Sequence, residues 1–320
     1  MVNDTWYDYF VETILARYPK KTQLVQELVD LLCIEREAVY RRLRKDVAFT
    51  IQEAVTIALA WNISLDEITN ISSGNVSFAM KAINYVDPSE KEMNEIQKRV
   101  RRLEHLRTVP NSEAMDICNK SPRSLTAGFP ILYQLDIFRW AYQYGNLEEN
   151  PTFSEITLSD QFLQEMADYH YLIKYVSNMS YLFDYMVFDY LVRDIQYFHS
   201  IFLISDEEAE LIKKELHALL DYLSEVANKG YFPETKNKVN IYISKINIST
   251  NYSYIYTEKL KLCRIHVFDK FDIFSFDTEM VDNFRTWMQQ KKRTSIQISE
   301  VDERSRIEFF MKQRQLVDKL

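Results

Sequence analysis

Apolar side chains recur at Trp6, Phe10, Ile14 and Leu15, a helical stripe over residues 3–18 that Pro19 closes. Leu24, Leu28, Leu31 and Leu32 mark a second helix over 22–32. After Cys33 and Ile34 a third helix fits about 35–44, with Val39 and Leu43 one turn apart on its inner side. Thr50-Ile-Gln-Glu53 has the form of a capping box, in which the Thr hydroxyl takes an orphan amide and the Glu reaches back. It opens a fourth helix through about Trp61, with Ile51, Val55, Ala58 and Leu59 as the apolar face. Ser64-Leu-Asp-Glu67 is a second such box and opens a short fifth helix. These elements predict an all-α domain over 1–73, with Ser72-Ser-Gly-Asn75 as the linker to a second domain over 74–320.

In the second part, Met93, Ile96, Val100 and Leu103 form a seam on a helix at about 89–108. The seam spans under two heptads, too short for a coiled coil, so packing within its own domain is preferred to dimerisation. Further helices fit 130–144, ended by Gly145, then 159–178, 180–203, and Ser205 (a third capping box, with Glu208) to Gly230. The aromatic run from Tyr169 to Phe202 reads as a core between helices, with a ligand pocket as the alternative. After Pro233 the texture changes. Val239, Ile241 and Ile243 alternate until Lys245 shifts the phase, which suggests a bulge. Tyr252–Tyr256, Leu260–Phe268 and Phe271–Phe276 also read as strands. Met280, Phe284 and Trp287 mark a helix, Lys291-Lys-Arg293 a solvated charge run, and Ser299–Asp302 the start of a last helix. The expected fold is therefore mainly α: five helices, then a larger helical domain with a small antiparallel sheet at about 239–276.

Composition narrows the chemistry. The 320 residues hold only four glycines, too far apart for G-x-G-x-x-G or a P-loop. The histidines at 105, 170, 199, 217 and 266 have no helical zinc spacing. Cys263 and His266, three apart on a strand, point to opposite faces. No catalytic constellation stands out, so no enzyme, cofactor or metal is expected. Cys33, Cys118 and Cys263 lack paired spacing, and no apolar run is long enough for a membrane span, which together suggest the reduced cytoplasm. The net charge of −8 argues against nonspecific coating of nucleic acid. Positive charge is nonetheless concentrated: residues 36–45 carry five basic side chains and one acid, within a segment 1–72 of net −3.

Residues 28–45, then Phe49-Thr-Ile-Gln-Glu-Ala-Val55, then Ala60-Trp-Asn-Ile-Ser-Leu-Asp-Glu-Ile68, resemble the lambda-repressor-like (Xre-type) helix-turn-helix domain of bacterial regulators. The resemblance covers about 1–70; the remainder is only weakly similar to the C-terminal parts of uncharacterised regulators. Cys33 stands where that family usually has a turn Gly with φ > 0, and Arg42 where an apolar residue is usual. The resemblance implies a transcriptional regulator that binds double-stranded DNA with helix 35–44 in the major groove. Arg36, Glu37, Tyr40, Arg41, Arg44 and Lys45 would be the contact residues, with Gln23 at the start of the second helix on phosphate. It also implies a homodimer on two half-sites, with an unknown small-molecule or protein effector at the second domain. The alternative is a helical protein–protein scaffold that does not touch DNA.

Overall fold

The computed structural model describes residues 5–15, 20–61, 63, 65, 68, 78–81, 83–144, 151–267 and 270–320. The chain divides into two compact units, Met1–Phe78 and Ala79–Leu320.

In the first unit, α1 (Thr5–Leu15), α2 (Lys21–Leu32), α3 (Arg36–Leu43) and α4 (Ile51–Trp61) surround one apolar core. Phe10, Ile14, Leu24, Leu28, Val39 and Leu43 are all buried in it. The capping box forms: the Glu53 amide donates to Thr50 Oγ1 at 3.2 Å, and the Thr50 amide donates to Glu53 Oε2 at 2.8 Å. The face that α4 buries shares only Ala58 with the expected one. Ile57, Ala58 and Trp61 point inward, while Ile51 and Leu59 are 85% and 79% exposed. The expected fifth helix from Ser64, the linker 72–75, and the stops at Pro19 and Gly145 lie outside the described residues.

The second unit corrects the expectation of a mainly helical domain with a small antiparallel sheet. It is an α/β unit built on one eight-stranded mixed sheet, in the order β1-β7-β6-β5-β2-β3-β4-β8. The strands are β1 (Ala79–Lys81), β2 (Glu113–Cys118), β3 (Asn178–Asp184), β4 (Lys238–Ser244), β5 (Tyr252–Tyr256), β6 (Lys261–Val267), β7 (Phe271–Ser275) and β8 (Ser295–Gln297). β2, β3 and β4 run parallel, with Glu113, Asn178 and Lys238 in register, and the other pairings are antiparallel. Parallel neighbours need long crossovers. That between β2 and β3 holds α6 (Arg123–Thr126), α7 (Pro130–Tyr144) and α8 (Asp160–Ile173). That between β3 and β4 holds α9 (Val187–Ser200) and α10 (Asp206–Lys229). Alternation along the strands gives the sheet two buried faces. Met179, Tyr181, Phe183, Val239 and Ile241 pack under the crossover helices. Met115, Ile117, Leu182 and Cys263 pack under α11 (Thr278–Lys291) through Val281, Phe284 and Met288.

The missed strands have a common cause. β2 and β3 are covered on both faces, so their apolar residues do not alternate, and periodicity cannot tell such a run from a buried helix. Residues 180–184 therefore belong to β3, and the helix expected over 180–203 is only Val187–Ser200. The helix expected over 89–108 is α5 (Glu90–Arg101) followed by a 3₁₀ turn at Glu104–Arg107. Its seam, Met93, Ile96, Val100 and Leu103, is buried within this unit. No bulge forms at Lys245; β4 stops at Ser244, whose hydroxyl donates to the Ile246 carbonyl at 2.6 Å. Within the charge run, Lys292 folds back onto the sheet, with Nζ 3.2 Å from Ser180 Oγ. The last helix is α12 (Glu303–Val317), N-capped by Asp302.

Leu182 is buried between β3 and α11. Leu182→Ala is expected to lower the unfolding free energy by about 2–5 kcal/mol in urea titrations, the cost of a cavity between β3 and α11.

Candidate functional site

α2 and α3 are joined by Cys33, Ile34 and Glu35. Cys33 adopts φ 52, ψ 42, the left-handed conformation that caps α2 and lets the chain turn sharply into α3. The expected need for φ > 0 is thus present without the glycine, at a cost of about 1–2 kcal/mol. α3 is held from two sides. Val39 and Leu43 enter the core. Arg42 makes a two-pronged pair with Glu53: Nε to Oε2 at 2.9 Å and Nη2 to Oε1 at 2.8 Å. Both side chains are only 15% exposed, so the pair bonds α3 to the cap of α4. Glu53 therefore serves two helices at once. Burial opposes its charge, but the bonds from Arg42 and Thr50 prevail and hold its carboxyl below the usual value.

The other edge of α3 carries the residues singled out in the sequence. Arg36, Glu37, Arg41, Arg44 and Lys45 are exposed, Tyr40 is half-buried against the core, and Gln23 is exposed in the first turn of α2. They do not share one state. Arg36 donates to Gln26 Oε1 at 2.5 Å. Arg44 bonds Glu37 at 3.1 Å and Asp46 at 3.0 Å, and Lys45 bonds Asp8. Arg41 has no carboxylate partner among the described residues. Lys45 is itself left-handed, with φ 68, immediately past the end of α3.

A second polar site, which no sequence spacing suggests, lies in the second unit. On the face of the sheet under the crossover helices, Asp116 of β2 stands opposite Ser253 of β5, which stands opposite Arg264 of β6. His266 of β6 is paired in register with Asp272 of β7. Arg264 Nε donates to Ser253 Oγ at 3.0 Å, His266 Nδ1 meets Asp272, and Arg123 of α6 comes within 3.9 Å of Asp272. Burial works against the Asp272 charge, but His266, Arg123 and Arg264 outweigh it and push its carboxyl well below the usual range. Asp116 is the opposite case. Burial raises its pKa, and a hydrogen bond from Ser124 Oγ at 2.6 Å only partly offsets this. Beside them Lys270, 2% exposed, bonds Asp136 and lies 4.9 Å from the centroid of the Tyr133 ring. Titratable groups gathered in a largely apolar layer are costly and mark a candidate binding or reaction site. They come from β2, α6, β6 and β7, far apart in sequence. Their one trace in the sequence is Arg264, His266 and Asp272 inside strand-like apolar runs.

His170 of α8 supports this cluster from behind. Its Nδ1–H donates to the Ser124 carbonyl at 2.8 Å, and its ring lies against Gly128, where a Cβ would come within 2.6 Å of Nε2. Burial, with Lys174 nearby, pulls its pKa down to about 4 despite the Ser124 bond. The neutral ring fixes the α6 turn and hence Ser124 over Asp116. Among the described residues no group of three or more acidic, His or Cys side chains is arranged to hold a metal ion, and no helix is long and apolar enough to cross a membrane. Comparison with family models, with curated protein sequences and with solved structures finds no match for this chain.

Two predictions follow from these pairs. Glu53 has a lowered carboxyl pKa in the folded state, so its contribution is complete above about pH 4.5 and is lost as pH falls through the folded value. Arg42→Ala should destabilise the first unit by about 1–3 kcal/mol at neutral pH and flatten that acid dependence, as followed by acid-titrated chemical unfolding. His170 is held neutral, so between about pH 6.5 and 4 the unfolded chain takes up a proton that the folded chain refuses, and stability drops as pH falls. His170→Gln should remove one proton's worth of that slope, and Gly128→Ala should lower the melting temperature by crowding the same ring.

Proposed function

We propose that this chain is a sequence-specific DNA-binding transcriptional regulator of the cytoplasm, with α3 as its recognition helix. One observation carries the reading: α3 is fixed along its inner edge by Val39, Leu43 and the Arg42–Glu53 pair, so its basic outer edge is presented to solvent on a rigid support. A recognition element needs that division of labour, because side chains aimed at base edges are useful only if their helix cannot roll.

Arg41, free of any carboxylate partner among the described residues, is the leading base-contacting side chain, with Arg36 and Tyr40 beside it. Arg44 is tied to Glu37 and Asp46, yet it is 49% exposed, and Glu37 and Asp46 are 70% and 50% exposed. Exposed pairs of this kind contribute about 0–1 kcal/mol, so a phosphate or a guanine edge can displace them. Glu37 then either accepts from a cytosine amine or keeps Arg44 in register. Lys45 and Gln23 would hold phosphate. The first turn of α2 holds Lys21, Thr22 and Gln23 with no acidic residue, and a helix N-terminus favours an anion. One such unit covers few base pairs, so the regulator would act as a homodimer on two half-sites, with the second unit as the dimerising and effector-sensing part.

A scaffold that binds protein instead is favoured by one observation, the self-neutralisation of Arg44 and Lys45 by the unit's own acids. Selection of genomic fragments with the full chain, followed by titrations at low and high salt, separates the two. The regulator reading expects a site whose affinity falls steeply with salt, by a log–log slope of about −0.9 per phosphate contact. It also expects Arg41→Ala to cost about 1–3 kcal/mol and to relax specificity at one base pair. Absence of any retained fragment at low salt would reject it, and sedimentation of the DNA complex tests the dimer.

A further inference from the structure

The space between α5 and the β5–β7 meander has two unlike linings. Its walls are apolar, including Ile96 and Val100 of α5, Met166 of α8, and Leu262 and Phe274 of the sheet. Set into them are four guanidinium groups, those of Arg99, Arg102, Arg123 and Arg264, against the single carboxylate of Asp272. That carboxylate is already engaged by His266 and Arg123. Arg99 is half-buried and has no carboxylate partner among the described residues; its guanidinium lies 6.0 Å from the centroid of the Phe274 ring. Burial, reinforced by the nearby charges of Arg123 and Arg264, pulls its pKa below the ordinary arginine value. Arg102, more exposed, lies over Phe276 at 5.6 Å.

Cations collected out of water repel one another and lose hydration, and an anion among them relieves both costs. A bare inorganic anion would satisfy the arginines and leave the apolar walls wet. A neutral apolar molecule would do the reverse. The cavity is partly open to solvent and has a volume of about 80 Å³. That is room for several water molecules but only about half of the ~150 Å³ that takes benzene.

We propose that this space binds a small organic acid, its carboxylate seated among Arg99, Arg123 and Arg264 and its short aliphatic tail against Ile96, Leu262 and Phe274. The volume suits a tail of about two to four carbons. Arg123 also touches the Asp272–His266 pair, so the bound carboxylate competes with Asp272 for the same guanidinium. The site lies wholly within the second unit and does not depend on DNA binding.

The test uses the full chain with butyrate, butyramide and inorganic phosphate at matched ionic strength, read by thermal shift and titration calorimetry. Butyrate at about 20 mM is expected to raise the melting temperature and to give a saturable heat, while butyramide and phosphate do neither. Arg99→Gln is expected to fold and to weaken butyrate at least about tenfold. Equal effects of butyrate and butyramide, an effect of phosphate as large as that of butyrate, or no effect of butyrate would each overturn the proposal. So would a folded Arg99→Gln variant that binds within about twofold of the parent. If that variant does not fold, the three-ligand comparison on the unaltered chain decides alone.

Discussion

Three parallel strands that need cover on both faces set the architecture of residues 79–320. β2, β3 and β4 present Met179, Tyr181 and Val239 to one side and Met115 and Leu182 to the other, and neither set tolerates water. The crossover helices that parallel pairing demands supply the first cover. The second comes from α11, which is anchored by more than apolar contact. Glu113, at the start of β2, accepts from Arg285 and from Gln289 of α11, and also from Tyr254 of β5. One carboxylate thus ties the first central strand, its antiparallel neighbour and the covering helix together. The Tyr254 hydroxyl is raised far above its ordinary pKa by burial and by that carboxylate, so it remains a donor.

Where the antiparallel meander β5–β7 extends the sheet, the helical cover is no longer purely apolar. Arg99 comes from α5, Arg102 from the cap just past its end, Arg123 from α6, Arg264 from β6 and Asp272 from β7. A sheet face in the protein interior would ordinarily carry Val or Ile at positions 264 and 272, so the charges there have a cost that packing does not explain. The same sheet face contains opposite solutions to burial. Asp272 is stabilised as an anion by surrounding cations, whereas Asp116, bonded mainly by Ser124, is shifted toward its neutral form.

The first unit was the more legible part of the sequence because its elements are specified locally. A capping box, a 3.6-residue stripe and a short turn each lie within a few residues, and Thr50–Glu53, Leu24–Leu28 and Val39–Leu43 fall where that grammar places them. α4 carries two apolar stripes, and of the face read from the sequence only Ala58 is buried, while Ile51, Val55 and Leu59 are exposed. The role of Arg42 was illegible for a different reason: its partner Glu53 is eleven residues away and already assigned to a cap. In the second unit the strands after Pro233 were readable by alternation, but β2 and β3 were not, and the three-residue β1 and β8 are too short to carry a pattern. The arginine-lined space was the least legible of all, since it exists only once α5, α6, β6 and β7 are assembled.

The order of the strands also bears on how the chain is made. β1 pairs with β7 across almost two hundred residues, and β2 pairs with β5 across more than one hundred and thirty. During synthesis from the N-terminus, the hydrogen-bonding edge of β2 that faces β5 therefore has no partner until Tyr252–Tyr256 has left the ribosome. The helices of the first unit close over far shorter separations and need not wait. Nascent chains that stall between these points carry a finished N-terminal unit and an open, apolar sheet edge, the species most prone to aggregate or to require a chaperone.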